Sequence, residues 1–101
     1  MSMTKIELFN AKNASKEISE GLAINVVSCG KYPDVDKDGH DVIVSCLKDE
    51  SGEIYTTISG TVANSLDMLE EILAEEKKVC IVVMKGISNG GREFYKLMIK
   101  Q

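Results

Sequence analysis

Residues 53–84 constrain the fold of this chain more than any other stretch, because the spacing of their apolar side chains changes twice. Residues 53–59 alternate, with the period of two that is typical of a half-buried strand. Residues 61–76 place apolar side chains every three or four positions, which predicts an amphipathic helix that ends before two lysines. Residues 79–84 are rich in β-branched side chains and predict a buried strand. Strand, helix and strand in this order, with further strands on either side, predict a small barrel closed at one end by a helix.

Three more long strands are predicted around this stretch, at residues 22–29, 41–48 and 92–100. Residues 5–9 also alternate and predict a short edge strand. Three strands, a helix and two strands is the order of the OB-fold. We therefore predict a mainly β protein, a five-stranded OB-fold Greek-key barrel with one α-helix between strands three and four. One domain is expected over residues 1–101, with residues 1–20 as an N-terminal extension or edge strand.

Composition is that of a folded domain rather than a disordered chain. The 101 residues are 44% hydrophobic and 28% charged. No apolar run is long enough to span a bilayer, and the N-terminus does not resemble a signal peptide, so we expect a cytoplasmic protein. Cys29, Cys46 and Cys80 are odd in number, have no CxxC spacing and lie in apolar strand-like runs. They are expected to be buried free thiols.

Charge is distributed unevenly along the chain. The net charge of −4 argues against a polyanionic partner. However, residues 77–101 hold six basic groups and one acidic group, whereas residues 61–76 hold five acidic groups and no basic one. One part of the molecule would repel a polyanion and another could attract it, unless these charges only solvate the surface.

No motif for catalysis or for a cofactor is present. The sequence contains no HExxH, P-loop or GxGxxG and no recognisable nucleophile–base pair, so we predict neither an enzyme nor a cofactor. An aspartate-rich run, residues 34–38, matches the first half of an EF-hand loop, but the twelfth position is Ser45 and no helices flank it. An Asx-rich solvated turn is the main interpretation and a calcium site the alternative.

An OB-fold binds its ligands across strands two and three, between the loops that join strands one to two and four to five. Bases stack on aromatic rings, and cations contact phosphates along a groove. The aromatic, hydroxyl and basic side chains at these places predict a nucleic-acid-binding surface composed of Lys31, Tyr32, Lys48, Tyr55, Thr57, Lys85, Arg92, Phe94 and Lys96.

The alternation of the last strand assigns its two faces. Tyr95, Leu97 and Ile99 form the more apolar set and are predicted to enter the core. The alternate residues, beginning at Arg92, are then left on the exposed side. Aromatic rings and cations from separate strands are expected to meet on the side of the barrel away from the acidic helix.

Several stretches of the chain carry a resemblance to a known family. Residues 54–61, 64–73 and 85–95 resemble small single-stranded DNA-binding proteins encoded by phages of Gram-positive bacteria. The similarity covers residues 53–100 well and the first half loosely. It implies an OB-fold that coats single-stranded DNA without sequence preference during replication or recombination, in the cytoplasm of the bacterial host. The implied partners are single-stranded DNA and, as further candidates, replication or recombination proteins.

A protein-interaction barrel is the competing hypothesis. The second long strand is apolar on both faces, and Ile43 and Leu47 could build an oligomer such as a dimer. The acidic surface could instead bind a basic partner. Convergence of the predicted cations with Tyr55 on one concave face would favour DNA, whereas acidic residues dominating that face would favour a protein partner.

Overall fold

The computed structural model describes residues 3–100, which form one curled, half-barrel sheet of six strands and two helices. The elements in chain order are α1 (Lys5–Asn13), β1 (Lys16–Glu17), β2 (Ala23–Val35), β3 (Asp41–Asp49), β4 (Ile54–Thr57), α2 (Gly60–Glu76), β5 (Val79–Ile87) and β6 (Glu93–Ile99). Neither helix has the length and hydropathy needed to span a membrane within this described part of the chain.

The strands are arranged in the order β1-β4-β3-β2-β5-β6. The short β1 is parallel to β4, and the other neighbouring strands are antiparallel. The prediction of five strands, with a helix between the third and fourth, is therefore wrong in strand count. The structure has six strands, and the helix α2 follows the fourth of them. The additional strand contains only two residues, too few for an alternation pattern to reveal it.

The predicted helix at residues 61–76 is confirmed as α2. Its buried stripe is Val62, Leu66, Leu69 and Leu73, spaced as the amphipathic pattern requires. Lys77 ends the helix in the left-handed conformation, with φ of 63°, and its N–H donates to the carbonyl of Leu73. The helix covers one face of the curled sheet.

The edge strand predicted at residues 5–9 is wrong, because these residues lie in α1. The Thr4 hydroxyl accepts from the N–H of Glu7, and the Glu7 carboxylate accepts from the N–H of Thr4, which together form a capping box. Only Ala11 of this helix is buried, and the exposed fractions of Ile6 and Phe9 are 74% and 67%. The helix lies on the sheet but leaves much of its apolar surface in solvent.

β2 is longer than the strand predicted at residues 22–29. β2 continues through Gly30 to Val35, beyond the end predicted at residue 29, so the connection to β3 begins only at Asp36. A register shift between Val26 and Ser28 marks a β-bulge in this strand. Gly30 permits α1 to approach the sheet closely, since a Cβ there would lie 3.1 Å from the Cδ2 atom of Leu8 in α1.

Two hydrophobic clusters lie on opposite faces of the sheet, because successive residues of a strand point to opposite sides. The inner cluster joins α2 to the sheet and contains Leu47, which is 1% exposed. The outer cluster lies under α1 and contains Met3, Ala11, Val44, Cys46 and Ile54. Burial of Leu47 removes it from the predicted oligomer surface, whereas Ile43 is 44% exposed.

The cysteines are free thiols, as predicted, and two of them are fully buried. Burial raises the pKa of Cys29 to about 12 and that of Cys46 to about 11. Cys80 is only half-buried. In the last strand, Tyr95 and Leu97 pack against the inner cluster as predicted. The prediction for Ile99 is wrong, because this residue lies near the end of an edge strand and is 45% exposed.

Candidate nucleic-acid interface

The curled sheet is not closed between the end of β4 and the edge strand β6. One side-chain hydrogen bond bridges this opening, in which the Ser59 hydroxyl donates to the carbonyl of Tyr95 at 3.2 Å. Two clefts meet here and share Thr57, Ile58 and Tyr95. One has a volume of about 430 Å³ and the other about 370 Å³. We call the surface that they form together the seam groove.

The seam groove is lined by Glu17, Ile18, Tyr32, Val44, Thr56, Thr57, Ile58, Ser59, Gly60, Thr61, Arg92, Glu93, Phe94 and Tyr95. Three aromatic residues, each partly exposed, are therefore distributed along it: Tyr32 in one cleft, Phe94 in the other and Tyr95 in both. Aromatic rings with accessible surface can stack against unpaired bases.

A glycine in β5 sets the position of the Phe94 ring. Gly86 and Phe94 lie opposite each other in the β5–β6 ladder. A Cβ at Gly86 would stand 2.6 Å from the Cζ atom of Phe94, closer than real contacts allow. The end of the ring therefore occupies the space that a side chain at position 86 would need.

Basic and acidic groups both border the groove. Arg92 is exposed and forms no ion pair within residues 3–100. The Lys85 ammonium lies 5.7 Å from the centre of the Tyr95 ring and 3.2 Å from the Glu93 carboxylate. The hydrogen bond that the Lys85 ammonium donates to the Glu93 carboxylate raises the pKa of Lys85, so its positive charge is already partly compensated. Arg92 is the cation of this groove most available to a phosphate.

Four of the nine predicted interface residues line the seam groove directly, namely Tyr32, Thr57, Arg92 and Phe94. Lys85 adjoins it through Tyr95. The exposed Lys31 lies opposite Ser45, which lies opposite Thr57, so the three residues share one sheet face. Four predicted residues therefore meet in the groove, Lys85 contacts its wall, and Lys31 lies on the same sheet face as Thr57.

Tyr55 does not face outward as predicted. It lies opposite the buried Leu47 and packs against the inner cluster. The neighbouring Ile54 is buried on the other face, beneath α1. Both faces of β4 are covered by other elements, so alternation alone could not show whether Tyr55 or Ile54 faces α2.

Two predicted lysines lie away from the groove. The Lys48 ammonium donates to the Glu7 carboxylate, and this hydrogen bond lowers the pKa of Glu7. Lys48 therefore joins α1 to the sheet. Lys96 is exposed on the outer face, opposite Met84 in the ladder, and lines neither cleft of the groove.

Two of the residues that sequence reasoning missed, Tyr95 and Ile58, line both clefts of the groove. Tyr95 was assigned to the core alone, yet its partly exposed side chain lines both clefts. Ile58 was read as part of the third strand, but it follows the end of β4 and is 59% exposed. A tyrosine in an edge strand is the available signal, because its hydroxyl favours a position that reaches solvent.

The aspartate-rich segment forms a turn at the tip of the β2–β3 hairpin. The Asp36 carboxylate accepts from the backbone N–H groups of Asp38 and His40, which is the predicted Asx-type turn. Asp36, Asp38 and His40 could each offer a ligand atom within 4.8 Å of the others. Because two of the three are exposed and the first already holds the turn, we assign no metal site here.

The curled sheet is consistent with a barrel-like OB-fold. The model of the Phi29 phage family described as phage single-stranded DNA-binding protein matches residues 2–100. The chain belongs to this family, and its partner is single-stranded DNA. No curated protein sequence and no solved structure gives a significant match.

Proposed function

We propose that the protein coats single-stranded DNA without sequence preference during phage replication or recombination, and that the strand lies in the seam groove. The observation that carries this proposal is the convergence of three partly exposed aromatic rings with an exposed arginine along one opening of the sheet. Every base offers a face to an aromatic ring, so stacking is tolerant of sequence.

Backbone contacts would come mainly from Arg92 and from the hydroxyl of Thr57 in the same cleft, with Lys31 further along the sheet face of Thr57. Glu17 and Glu93 also line the groove and limit its attraction for phosphates. We therefore expect weak to moderate affinity, with a modest dependence on salt. A few phosphate contacts give a shallow slope, since each contributes about 0.7 to the logarithmic salt dependence on single strands.

Tyrosine fluorescence provides the test. The chain has three tyrosines and no tryptophan, so any quenching by DNA reports on tyrosines alone. Titration with thymidine, adenosine and mixed-sequence oligonucleotides of equal length should quench the emission in every case, with affinities that fall as salt rises. The Tyr55→Phe variant should retain most of the quenching, whereas Tyr95→Phe should lose a substantial part of it.

Duplex DNA of the same length is the control and should bind much more weakly, because its bases are already stacked and paired. If one homopolymer binds and the others do not, the proposal that binding lacks sequence preference is wrong. The seam groove is the wrong site if the strand quenches the Tyr95→Phe variant as fully as the wild-type protein while quenching disappears in Tyr55→Phe.

A further inference from the structure

An apolar groove lies between α2 and the β5–β6 hairpin. Its volume is about 260 Å³ and its walls are Asn64, Ser65, Met68, Leu69, Ile72, Ile81, Leu97 and Ile99. We call it the α2–β6 groove. Met68 and Ile99 are 67% and 45% exposed, so the apolar wall is open to solvent. Open apolar surface next to a charged rim is typical of an interaction site.

The rim of the α2–β6 groove is acidic. Glu71 lies three residues after Met68, and Glu75 lies three residues after Ile72, so both carboxylates border the groove along the helix. Both glutamates are exposed, and neither forms an ion pair within residues 3–100. A segment that fits this groove should carry apolar side chains flanked by positive charge.

The exposed face of α1 has this complementary chemistry. Ile6 and Phe9 are three residues apart and therefore share one side of the helix, and both are mostly exposed. Lys5 and Lys12 are exposed on the same side and make no ion pair in the described part of the chain. The acidic residue of this helix, Glu7, is turned the other way and is held by Lys48.

A single chain cannot join these two surfaces. α1 packs over the outer cluster and α2 over the inner cluster, on opposite faces of the same sheet. The exposed face of α1 can therefore reach an α2–β6 groove only in another molecule. Such a contact joins two different surfaces, so the copy that donates α1 keeps its groove free and the other copy keeps its α1 free.

We propose that the protein associates head to tail with itself, α1 of one copy docking its Ile6 and Phe9 into the α2–β6 groove of the next. Lys5 and Lys12 then face Glu71 and Glu75 of the neighbour. The repeat is open-ended unless its rotation closes a ring. This self-association does not depend on DNA. Its consequence, cooperative coating of a long strand by contiguous copies, rests on the proposed function.

Sedimentation equilibrium of the full chain without DNA tests the contact. The average mass of the wild-type protein should rise with concentration above the 11.1 kDa of one chain, and the rise should weaken as salt increases. Phe9→Asp should weaken the association at least tenfold. Ile87→Asp is the matched control, since Ile87 is 73% exposed at a site outside both surfaces, and it should associate like the wild type.

Charge reversal identifies the two surfaces. The variant with Lys5→Glu and Lys12→Glu should remain monomeric alone, and so should the variant with Glu71→Lys and Glu75→Lys. An equimolar mixture should associate again, because each acidic helix then meets a basic groove and each basic helix meets an acidic groove. All four positions are exposed, and circular dichroism verifies that both variants fold.

A wild-type protein that stays monomeric at all concentrations overturns the proposal. So does a mixture of the two charge-reversed variants that fails to associate, or a glutamate-reversed variant that associates like the wild type. An oligonucleotide long enough for only one copy separates this proposal from the DNA proposal. Phe9→Asp should bind it like the wild type and lose cooperativity only on a long strand.

Discussion

The two long hairpins of the sheet share an architecture and differ in charge. The β2–β3 hairpin projects beyond the sheet, where residues 32–35 and 41–44 pair only with each other, and its tip is rich in aspartate. The β5–β6 hairpin has a glycine-containing turn and carries Lys85, Arg92 and Lys96. An OB-fold would place both connections beside its ligand. Basic groups outnumber acidic groups only in the second hairpin, which therefore has the net charge that a phosphate backbone requires.

The hairpins also differ in what their polar groups do. In the first, the Asp36 carboxylate stabilises the turn by accepting hydrogen bonds from two backbone N–H groups. In the second, Ser88 holds the turn through the N–H of Arg92, and the guanidinium of Arg92 is left at the surface. A charged side chain that closes a turn contributes to stability, whereas one that the turn leaves exposed is available to a ligand.

The largest effect on DNA binding is expected for Phe94→Ala in the second hairpin. Loss of one stacking platform costs about 1–3 kcal/mol, or about 5- to 150-fold in affinity, at every salt concentration. Fluorescence titration with a short oligonucleotide measures this loss. Phe9→Ala removes the other phenylalanine of the chain, which lies outside the seam groove, and should leave the affinity unchanged.

A smaller loss is expected for Gly86→Ala, which adds one carbon beneath the same ring. The new Cβ would displace the Phe94 ring, which can move because it is the end of a side chain. We expect an affinity loss of about 1 kcal/mol, roughly fivefold, with the fold retained. Gly90→Ala is the control in the same hairpin, since a Cβ there meets no atom within 4 Å. Equal affinities for both alanine variants would show that the ring position is unimportant.

Arg92→Ala should mainly change the salt dependence of binding. Removal of one phosphate contact lowers the slope of log affinity against log salt by about 0.7, with only a few-fold loss at moderate salt. Titrations at several salt concentrations give the slope. Lys48→Ala should leave the slope unchanged, because Lys48 is bound by Glu7 away from the groove. If Lys48→Ala flattens the slope and Arg92→Ala does not, the assignment of the cationic site is wrong.

The smallest effect on binding is expected in the first hairpin. Asp36→Ala should lower the free energy of unfolding by about 1 kcal/mol, because two turn N–H groups lose their acceptor, and should change the DNA affinity less than twofold. Asp38→Ala removes the same charge from an exposed side chain of the same loop. It should leave both quantities nearly unchanged in urea unfolding and in titration. A several-fold gain in affinity for both variants would place this hairpin beside the DNA.

The sequence predicted the parts of the fold whose faces differ clearly in polarity. α2 was located to within one residue because its apolar stripe packs on the sheet and its other side is solvated. Tyr32, Thr57, Arg92 and Phe94 were predicted to share a surface, and turns and strand ends do bring them to one opening. Their binding roles remain predictions.

The parts that were missed have faces that pattern alone cannot separate. The Ile6–Leu8 alternation in α1 imitates a strand, although the Thr4–Glu7 capping box indicated a helix. β4 is covered on one face by α1 and on the other by the inner cluster. The polarity of Tyr55 and Ile54 therefore could not show which face each side chain occupies. Both errors depend on where α1 packs, which is a tertiary property.

The unequal burial of the three thiols has a practical consequence for labelling. A maleimide reacts with the thiolate, and this species is scarce at Cys29 and Cys46 near neutral pH because burial disfavours its charge. Cys80 is therefore the site at which a native, unmodified chain would accept a fluorophore first. It lies in a cleft that shares Ile72 and Ile99 with the α2–β6 groove, so the dye would sit beside the surface whose occupancy it is meant to follow.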